Sequence, residues 1–262
     1  MTTIEKKALR TAATVLLLRE GDRGLEVFMV VRHHEIEFAS GGLVFPGGSI
    51  DPGDRAVAEE AALLCKEDGL DPEAAVIRVA GIRETFEESG VLLARKRGAG
   101  EILSATQMEA LAPQRIELHD GKVTFIDIIR KHQLVLATDG LTPFAHWITP
   151  VQRPKRFDTH FLLARAPRDQ VGNHDGRESV DSLWLTPNDA LEGAKTGRFK
   201  VPFPTTRNLA RLGRFDTVDA AFAHARTTPV VTVTPELTIR EDGGRTIKIP
   251  AAAGYDGEVF DF

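Results

Sequence analysis

One short stretch of the chain, residues 83–91 with the sequence RETFEESGV, constrains the fold more than any other. On an α-helix Glu84, Glu87 and Glu88 are spaced i, i+3 and i+4, so their carboxylates share one face. Such charges repel by about 0.2–0.5 kcal/mol per pair, and in the last turn before Gly90 the helix dipole disfavours anions by roughly 0.3–1 kcal/mol. A hard divalent cation with oxygen ligands would relieve both penalties. The stretch therefore predicts a helix whose last turns carry three carboxylates on one face, an arrangement that suits a metal site.

A solvated charged face is the alternative interpretation of the same helix. In that case Arg83 pairs with Glu87 and no metal is bound. Val79, Ile82 and Phe86 fall on the opposite side of the helix, where they can pack into a core. The spacing alone does not separate a metal site from a solvated face, so the surroundings must decide.

Length and charge narrow the class of protein. The chain has 262 residues, 42% hydrophobic and 27% charged, as in an ordinary soluble protein with a full core. Its net charge of −5 and pI near 5.9 argue against binding along a nucleic-acid backbone, which usually shows as a basic stripe. Cys65 is the one cysteine, and the apolar run at 12–18 is shorter than the roughly 20 residues of a membrane span. We expect a cytoplasmic protein without a membrane or nucleic-acid partner.

Apolar periodicity and turn residues divide the rest of the chain into mixed strands and helices. We expect strands at 12–19, 25–32, 43–45, 91–94, 144–148, 156–164 and 182–185, helices at 55–68, 71–89, 188–195, 205–214 and 217–225, a mostly helical region at 106–132, and a terminal strand or hairpin within 230–250. The order lacks a strict strand–helix–strand alternation. The fold class is therefore α/β or α+β in layers.

A second stretch, residues 44–54 with the sequence VFPGGSIDPGD, lies upstream of the carboxylate helix. Together the two stretches resemble the Nudix signature, which reads Gly, five residues, Glu, seven residues, and then Arg-Glu-aliphatic-x-Glu-Glu-x-Gly-aliphatic. Gly48 falls on the first glycine, with the usual Pro-Gly-Gly approach. The chain departs from the signature in Asp54, which replaces the first glutamate, in Thr85, which replaces an aliphatic residue, and in a much longer spacer before Arg83.

The long spacer within the box indicates one branch of the Nudix superfamily. A split box is characteristic of the branch that includes the peroxisomal coenzyme A diphosphatases of animals and their bacterial relatives. Further stretches resemble bacterial members of this branch, at 31–38, 42–48, 147–150, 156–161 and 204–209. The resemblance implies a Nudix α/β/α sandwich with a mixed sheet, a helical insertion within the box and extra C-terminal helices. It implies one domain over 1–262, with the insertion inside 55–82 and a C-terminal extension, 200–262, packed on the domain.

The resemblance also assigns roles within the box. It makes Glu84, Glu87 and Glu88 ligands of Mg²⁺ or Mn²⁺, and such ions can neutralise the dense charge of a diphosphate ester. Gly47 and Gly48 would let the backbone approach the metal and the phosphates. A plain tight turn would also explain the two glycines.

Two arginines complete the expected site. Arg83 would pair with Asp54 and orient the glycine loop against the helix, although aspartate is one methylene shorter than the usual glutamate. Arg32 stands at a strand end facing the Pro-Gly-Gly loop, where its guanidinium suits bidentate contact with a phosphate. A solvated strand end is the alternative for Arg32.

A further acidic residue is expected in the loop before the strand at 182–185. Glu178 is the candidate for this position by resemblance, as a metal ligand or as the general base. Asp175 and Asp181 are rivals for the same role. An exposed loop glutamate without a catalytic role is the plain alternative.

The branch implies a hydrolase that acts on phosphorus-containing acid anhydrides. Its expected substrate is coenzyme A or an acyl-CoA, cut to 3′,5′-ADP and (acyl-)4′-phosphopantetheine. ADP-ribose, NADH or another nucleoside diphosphate derivative is the alternative substrate. A Nudix module that only binds a nucleotide is the alternative of another class, and the intact carboxylate cluster speaks against it. The expected partner is a small nucleotide, and a homodimer is left open.

Overall fold

The computed structural model describes residues 8–33, 41–65, 70–170, 172–176, 178–241 and 243–261. Within these ranges the chain forms thirteen strands and eight helices. The strands are β1 (Leu9–Gly21), β2 (Gly24–Arg32), β3 (Leu43–Val44), β4 (Gly47–Ser49), β5 (Ala94–Lys96), β6 (Leu134–Leu136), β7 (Thr142–Ile148), β8 (Arg156–Arg165), β9 (Ser179–Leu185), β10 (Thr232–Val233), β11 (Glu236–Ile239), β12 (Arg245–Lys248) and β13 (Val259–Asp261). The helices are α1 (Pro52–Glu59), α2 (Pro72–Ser89), α3 (Ala105–Glu109), α4 (Ala112–His119), α5 (Phe125–Lys131), α6 (Pro187–Lys195), α7 (Phe203–Leu212) and α8 (Val218–Thr227).

β1 lies at the centre of a mixed eight-stranded sheet because its apolar run is buried on both faces. It pairs in parallel with β8, from Leu9 opposite Arg156 to Leu18 opposite Arg165. On its other side the first half of β1 pairs with β4 and its last residues pair with β2, both antiparallel. The strand order is β10-β7-β8-β1-β2-β3, with β9 against β2. A continuous apolar run is what a strand covered on both faces requires.

Helices cover both faces of the sheet, so the expected α/β/α sandwich is confirmed. One core joins α2 to the first face, through Val15, Phe28, Leu162, Val79, Ile82 and Phe86. A second core joins α6, α7 and α8 to the other face, through Leu16, Met29, Leu163, Ala190, Leu209 and Phe222. Helices of the 200–262 segment thus share a core with the sheet.

α2 carries the carboxylates and is fixed by local sequence at both ends. At its start Asp71 accepts hydrogen bonds from two backbone amides of the first turn, and Pro72 occupies the first helical position. At its end Gly90 has a φ of 72°, the left-handed conformation that terminates many helices. In the middle, a Cβ on Gly81 would lie 3.0 Å from Val15 Cγ2, so this glycine lets the helix pack closely on the sheet.

The helix expected at 55–68 is shorter and starts earlier than the sequence predicts. α1 begins before residue 55 because Asp51 and Asp54 form a reciprocal capping box. The chain then makes a short 3-10 turn at 61–63. The last three residues of the expected helix, 66–68, lie outside the described residues.

Other elements differ from expectation mainly in their bounds. The helical region at 106–132 is divided into α3, α4 and α5. The strand expected at 91–94 starts only at Ala94 and pairs with β6 in a small separate sheet, and the terminal strands β11, β12 and β13 form another. No helix in the described ranges is long and apolar enough to cross a bilayer.

Candidate active site

Two glycines at the start of β4 let this strand run close to the end of α2. In the pairing with β1, Gly47 lies opposite Thr14 and Gly48 opposite Ala13. A Cβ on Gly47 would lie 2.7 Å from Thr14 Cα, and a Cβ on Gly48 would lie 2.5 Å from Glu84 Oε1. A side chain at Gly47 would therefore meet backbone, and one at Gly48 would displace the Glu84 carboxylate.

Glu88 is held where β4, α2 and β2 meet. Its Oε2 accepts a hydrogen bond from the Gly47 amide at 3.0 Å, and its Oε1 accepts one from Arg32 Nη2 at 3.1 Å. Arg32 Nη2 also donates to the Gly47 carbonyl at 3.2 Å. Glu88 is only 3% exposed, so these contacts orient a desolvated carboxylate. Arg32 is tied to the site and is not a solvated strand end.

Arg83 joins the two halves of the split box. Its Nε and Nη2 donate to Asp54 at 2.8 and 2.9 Å, a bidentate ion pair in which the Asp54 side chain is fully buried. Its Nη1 lies 2.9 Å from a carboxylate oxygen of Glu84 and of Glu87. Asp54 also accepts from the Asp51 amide at 2.8 Å, so the capping box of α1 orients it toward Arg83. The expected Arg83–Asp54 pair therefore forms despite the insertion, beside the Arg83–Glu87 contact of the alternative interpretation.

Burial makes the charged forms of two carboxylates unfavourable. Desolvation raises the pKa of Glu84 to about 7 and that of Glu88 to about 8. The Arg83 charge beside Glu84 and the Arg32 charge beside Glu88 oppose the rise without cancelling it. An added cation would therefore favour the ionised forms of these carboxylates.

The donor set fits the divalent cation that the resemblance implies. Glu84, Glu87 and Glu88 present carboxylate oxygens at one end of α2, and no nitrogen or sulfur ligand stands among these three. Hard cations such as Mg²⁺ and Mn²⁺ prefer this all-oxygen set. The Glu87 side chain is 20% exposed, so the cluster is accessible from solvent.

Glu178 is exposed in the loop before β9. Its carbonyl accepts a hydrogen bond from the His33 amide at 2.8 Å, which fixes the loop beside the end of β2. Its charge contributes to the raised pKa of Glu88, so the two side chains lie within electrostatic range. Of its rivals, Asp175 accepts from two amides of the same loop and shapes it, whereas Asp181 is exposed on β9. The structure therefore brings Glu178 toward the cluster.

Arg115 belongs to this site and was not identified from the sequence. It lies on α4, where its Nε donates to the Glu87 carbonyl at 2.9 Å and its Nη2 donates to the Asn173 carbonyl at 3.1 Å. The Asn173 amide donates in turn to the Ser89 carbonyl at 2.8 Å. Arg115 thus places positive charge at the C-terminal end of α2 and ties the loop that leads to Glu178 to that end. No local pattern distinguishes this arginine, because its role depends on contacts between distant segments.

The fold and the site together define a class of protein. Nudix hydrolases have a mixed sheet between helical layers. In these proteins a helix end that carries carboxylates faces a Pro-Gly-Gly segment. A crystal structure of a Nudix hydrolase from Alicyclobacillus acidocaldarius superposes with a TM-score of 0.70 at 27% identity, over 84% of this chain and 97% of that one. The family model of the NUDT19 Nudix domain matches residues 65–212, more than half of the chain. The chain therefore belongs to the NUDT19 Nudix domain family.

Two relatives agree with this assignment. Acyl-coenzyme A diphosphatase NUDT19 of Xenopus laevis is 25% identical over 228 residues, which cover 72% of this chain and 60% of that protein. Acyl-coenzyme A diphosphatase NUDT19 of Homo sapiens is 28% identical over 155 residues, which cover 56% of this chain and 41% of that protein. The matches span less than two thirds of either relative. The predicted Nudix superfamily and its split-box branch are confirmed.

Proposed function

We propose that this Nudix hydrolase uses a divalent metal to cleave the diphosphate linkage of coenzyme A or an acyl-CoA. The products would be 3′,5′-ADP and (acyl-)4′-phosphopantetheine. The observation that carries the proposal is the partly buried carboxylate cluster of α2, with Glu88 only 3% exposed, which faces two glycines that leave no room for side chains. The relatives from Xenopus laevis and Homo sapiens are acyl-coenzyme A diphosphatases by name, which supports the substrate.

The cation would be held by Glu84, Glu87 and Glu88, and we propose that it is Mg²⁺ or Mn²⁺. When bound, it would offset the negative charge of the diphosphate and of the leaving oxygen. Burial supports this assignment, because desolvation raises the pKa of Glu84 and of Glu88 and leaves both carboxylates in need of a positive partner.

The chain's own groups would position the diphosphate. Gly47 and Gly48 have no room for a Cβ, so their backbone lies directly against β1 and the Glu84 carboxylate, where it would come close to a phosphate held by the cation. Arg32, 3.1 Å from Glu88, would donate to a phosphate oxygen while it keeps that carboxylate oriented. Arg83 would act as a positioning residue, since it orients the glutamates of α2 and joins them to the first half of the box.

Glu178 is the group that we assign as general base. The support for this assignment is that Glu178 is exposed to solvent and that its charge acts on the Glu88 carboxylate. A base must approach that water to about 2.6–3.2 Å, and general-base catalysis is worth roughly 10²–10⁴-fold. We expect Glu178→Gln to lower kcat within this range while Mn²⁺ affinity stays unchanged. An unchanged kcat would refute the assignment.

The proposed reaction is tested by a mass-spectrometric product screen. The purified chain would be incubated with Mg²⁺ or Mn²⁺ and, separately, with coenzyme A, acetyl-CoA, ADP-ribose, NADH and diadenosine polyphosphates. The inactive comparison is the double variant Glu87→Gln, Glu88→Gln. The matched control is Glu109→Gln, which changes an exposed glutamate on α3, away from the carboxylate cluster.

Each outcome of the screen has one interpretation. Release of 3′,5′-ADP from coenzyme A by the native chain and by Glu109→Gln, but not by the double variant, would support both the substrate and the metal site. Faster cleavage of ADP-ribose or NADH would contradict the proposed substrate but would still support metal-dependent hydrolysis of a diphosphate linkage. Metal-independent or absent turnover of every compound would favour a module that only binds nucleotides.

We also propose that residues 1–262 form one domain, with 200–262 packed on it as a C-terminal extension. The support is the shared core, in which Leu209 and Phe222 join Met29 and Leu163. Limited proteolysis tests this proposal, since early cleavage near residue 200 that leaves a stable folded fragment would contradict it. The cytoplasmic location and the homodimer stay predictions.

A further inference from the structure

A second cluster of metal-ligating side chains lies on β7 and β8, apart from the carboxylates. His146 of β7 stands directly opposite His160 of β8 in the antiparallel pairing. Asp158 precedes His160 by two positions, and side chains two apart on a strand point to the same face. The register of two strands therefore brings two imidazoles and one carboxylate together.

The ligand atoms of these three side chains are close to one another. One ring nitrogen or carboxylate oxygen of each lies within 4.8 Å of the others. His146 Nε2 is hydrogen-bonded to Asp158 Oδ1, and His160 Nε2 lies 3.8 Å from the same oxygen. Ligands of one zinc ion at 2.0–2.2 Å in a tetrahedral site are roughly 3.4 Å apart. The cluster is thus near the spacing that a shared cation requires.

A third strand, β10, fixes the second ring nitrogen of His146. Its Nδ1 is hydrogen-bonded to Thr232 Oγ1 of β10 at 2.8 Å, while its Nε2 faces Asp158. A metal-binding histidine commonly has its outer ring nitrogen fixed by such a partner, which sets the tautomer and the ring orientation. The same arrangement turns His146 Nε2 toward Asp158, where a bound cation would replace the hydrogen bond between them.

Space for a further ligand lies beside the two imidazoles. A cavity of about 260 Å³ is lined by His146 and His160 together with Ile77, Arg78, Pro143 and Val230. It is large enough for a water molecule or a small anion as a fourth ligand. Ile77 and Arg78 belong to the first half of α2, whereas the carboxylates stand in its last turns, so the cavity is separate from the carboxylate cluster.

We propose that His146, Asp158 and His160 bind a late first-row divalent cation, with Zn²⁺ the first choice, at a site distinct from Glu84, Glu87 and Glu88. Two imidazole nitrogens and one carboxylate select such ions, whereas the all-oxygen cluster selects Mg²⁺ or Mn²⁺. The bound ion joins β7 to β8 and, through Thr232, stabilises the β10 edge of the sheet.

Binding requires a small rearrangement of the two rings. The imidazoles of His146 and His160 are stacked, with centroids 4.1 Å apart and an interplanar angle of 15°. Lone pairs of stacked rings run side by side, so the rings must rotate about their Cβ–Cγ bonds to converge on one ion. The half-buried environment leaves room for this rotation, since the two side chains are 18% and 29% exposed.

The proposal is tested with Zn²⁺ alone, added to the full chain after treatment with a chelator. Competition against a chromophoric chelator gives the affinity for the native chain, for His160→Gln and for the matched control His119→Gln, which changes a histidine on α4. We expect His160→Gln to weaken Zn²⁺ binding by more than roughly 100-fold and Thr232→Val by roughly tenfold. The His119→Gln affinity should match the native value.

Two further measurements separate this site from the carboxylate cluster and from misfolding. The variant Glu84→Gln, Glu88→Gln should keep the native Zn²⁺ affinity. The Cu²⁺ electron paramagnetic resonance spectrum of the native chain should show coupling to two imidazole nitrogens, a result that does not depend on any variant. Equal Zn²⁺ affinity in the native chain and His160→Gln, or a spectrum with oxygen ligands alone, would overturn the proposal. None of these readouts depends on the proposed hydrolase activity.

Discussion

The carboxylate cluster of α2 and the histidine–aspartate cluster of β7 and β8 lie on the same face of the sheet and are built in different ways. One helix supplies Glu84, Glu87 and Glu88 through its 3.6-residue period. Two strands supply His146, His160 and Asp158 through their register. The first set offers oxygen atoms alone, and the second offers two nitrogens and one carboxylate. The comparison shows that one fold can present donor sets of different hardness.

The two clusters also differ in how their charge is balanced. Burial raises the pKa of Glu84 and of Glu88, so their ionised forms are unfavourable in the carboxylate cluster. In the other cluster Asp158 is already hydrogen-bonded to His146, and Thr232 holds the far side of the ring. We therefore expect activity to depend on the first cluster and the order of the sheet edge to depend on the second.

The largest expected effect separates the two clusters by activity. Glu88→Gln should lower kcat for coenzyme A hydrolysis by more than about 100-fold at saturating Mg²⁺, because loss of a ligand exceeds the 10–100-fold loss typical of an outer contact. His160→Gln, assayed alongside, should leave kcat unchanged. Steady-state kinetics measures both. Comparable losses of kcat in the two variants would contradict the functional distinction between the two clusters.

The next largest effect concerns the pair that joins the two halves of the box. Asp54→Asn should lower the free energy of unfolding by about 3 kcal/mol, because it removes the charge of the fully buried carboxylate that holds two nitrogens of Arg83, although Glu84 and Glu87 still contact the third. Urea denaturation measures this change. Glu73→Gln is the control, since it removes the exposed partner of Arg55 and should have no measurable effect. A stability loss shared by both variants would contradict the importance of burial.

A smaller effect is expected at the C-terminal end of α2. Arg115→Ala should lower kcat roughly tenfold with little change in KM, because Arg115 ties the loop leading to Glu178 to the carboxylate helix. Arg115→Lys should recover part of the rate. Hydrogen exchange at 172–176 should rise in the alanine variant. Unchanged exchange together with unchanged kcat would show that the loop does not depend on Arg115.

The smallest effect concerns Gly81, where α2 packs closely against β1 and β8. Gly81→Ala should destabilise the fold by about 1 kcal/mol, because a Cβ would stand 3.0 Å from Val15 Cγ2 and this crowding exceeds the gain in helix propensity. Thermal unfolding measures this change in stability. Gly140→Ala, where a Cβ meets nothing within 4 Å, is the control. A more stable Gly81→Ala variant would show that the sheet shifts to accommodate the added methyl group.

Sequence patterns predicted the elements whose forces are local. The spacing of Glu84, Glu87 and Glu88, the caps at Asp71 and Gly90, and the apolar run of β1 all follow from neighbours along the chain. The error in the helix at 55–68 has a local cause as well, because the capping box formed by Asp51 and Asp54 starts α1 earlier than the apolar pattern indicates.

The contacts that complete each cluster could not be predicted in this way. The resemblance indicated an Arg83–Asp54 pair, yet only the packing of α1 against α2 shows that aspartate reaches the arginine. Arg115 lies in a segment with no motif, and its partners are backbone carbonyls of two distant segments. A pair of carbonyl acceptors leaves no signature in the sequence.

By itself the sequence determined the layered α/β class, the helix end with three carboxylates and the glycines that approach it. The tertiary structure decided which side chains surround those carboxylates, how far burial raises the pKa of Glu84 and of Glu88, and that His146 meets His160. The physical reason is the range of the forces involved. Helix periodicity, caps and turns depend on residues a few positions apart, whereas desolvation and strand register depend on segments that only folding brings together.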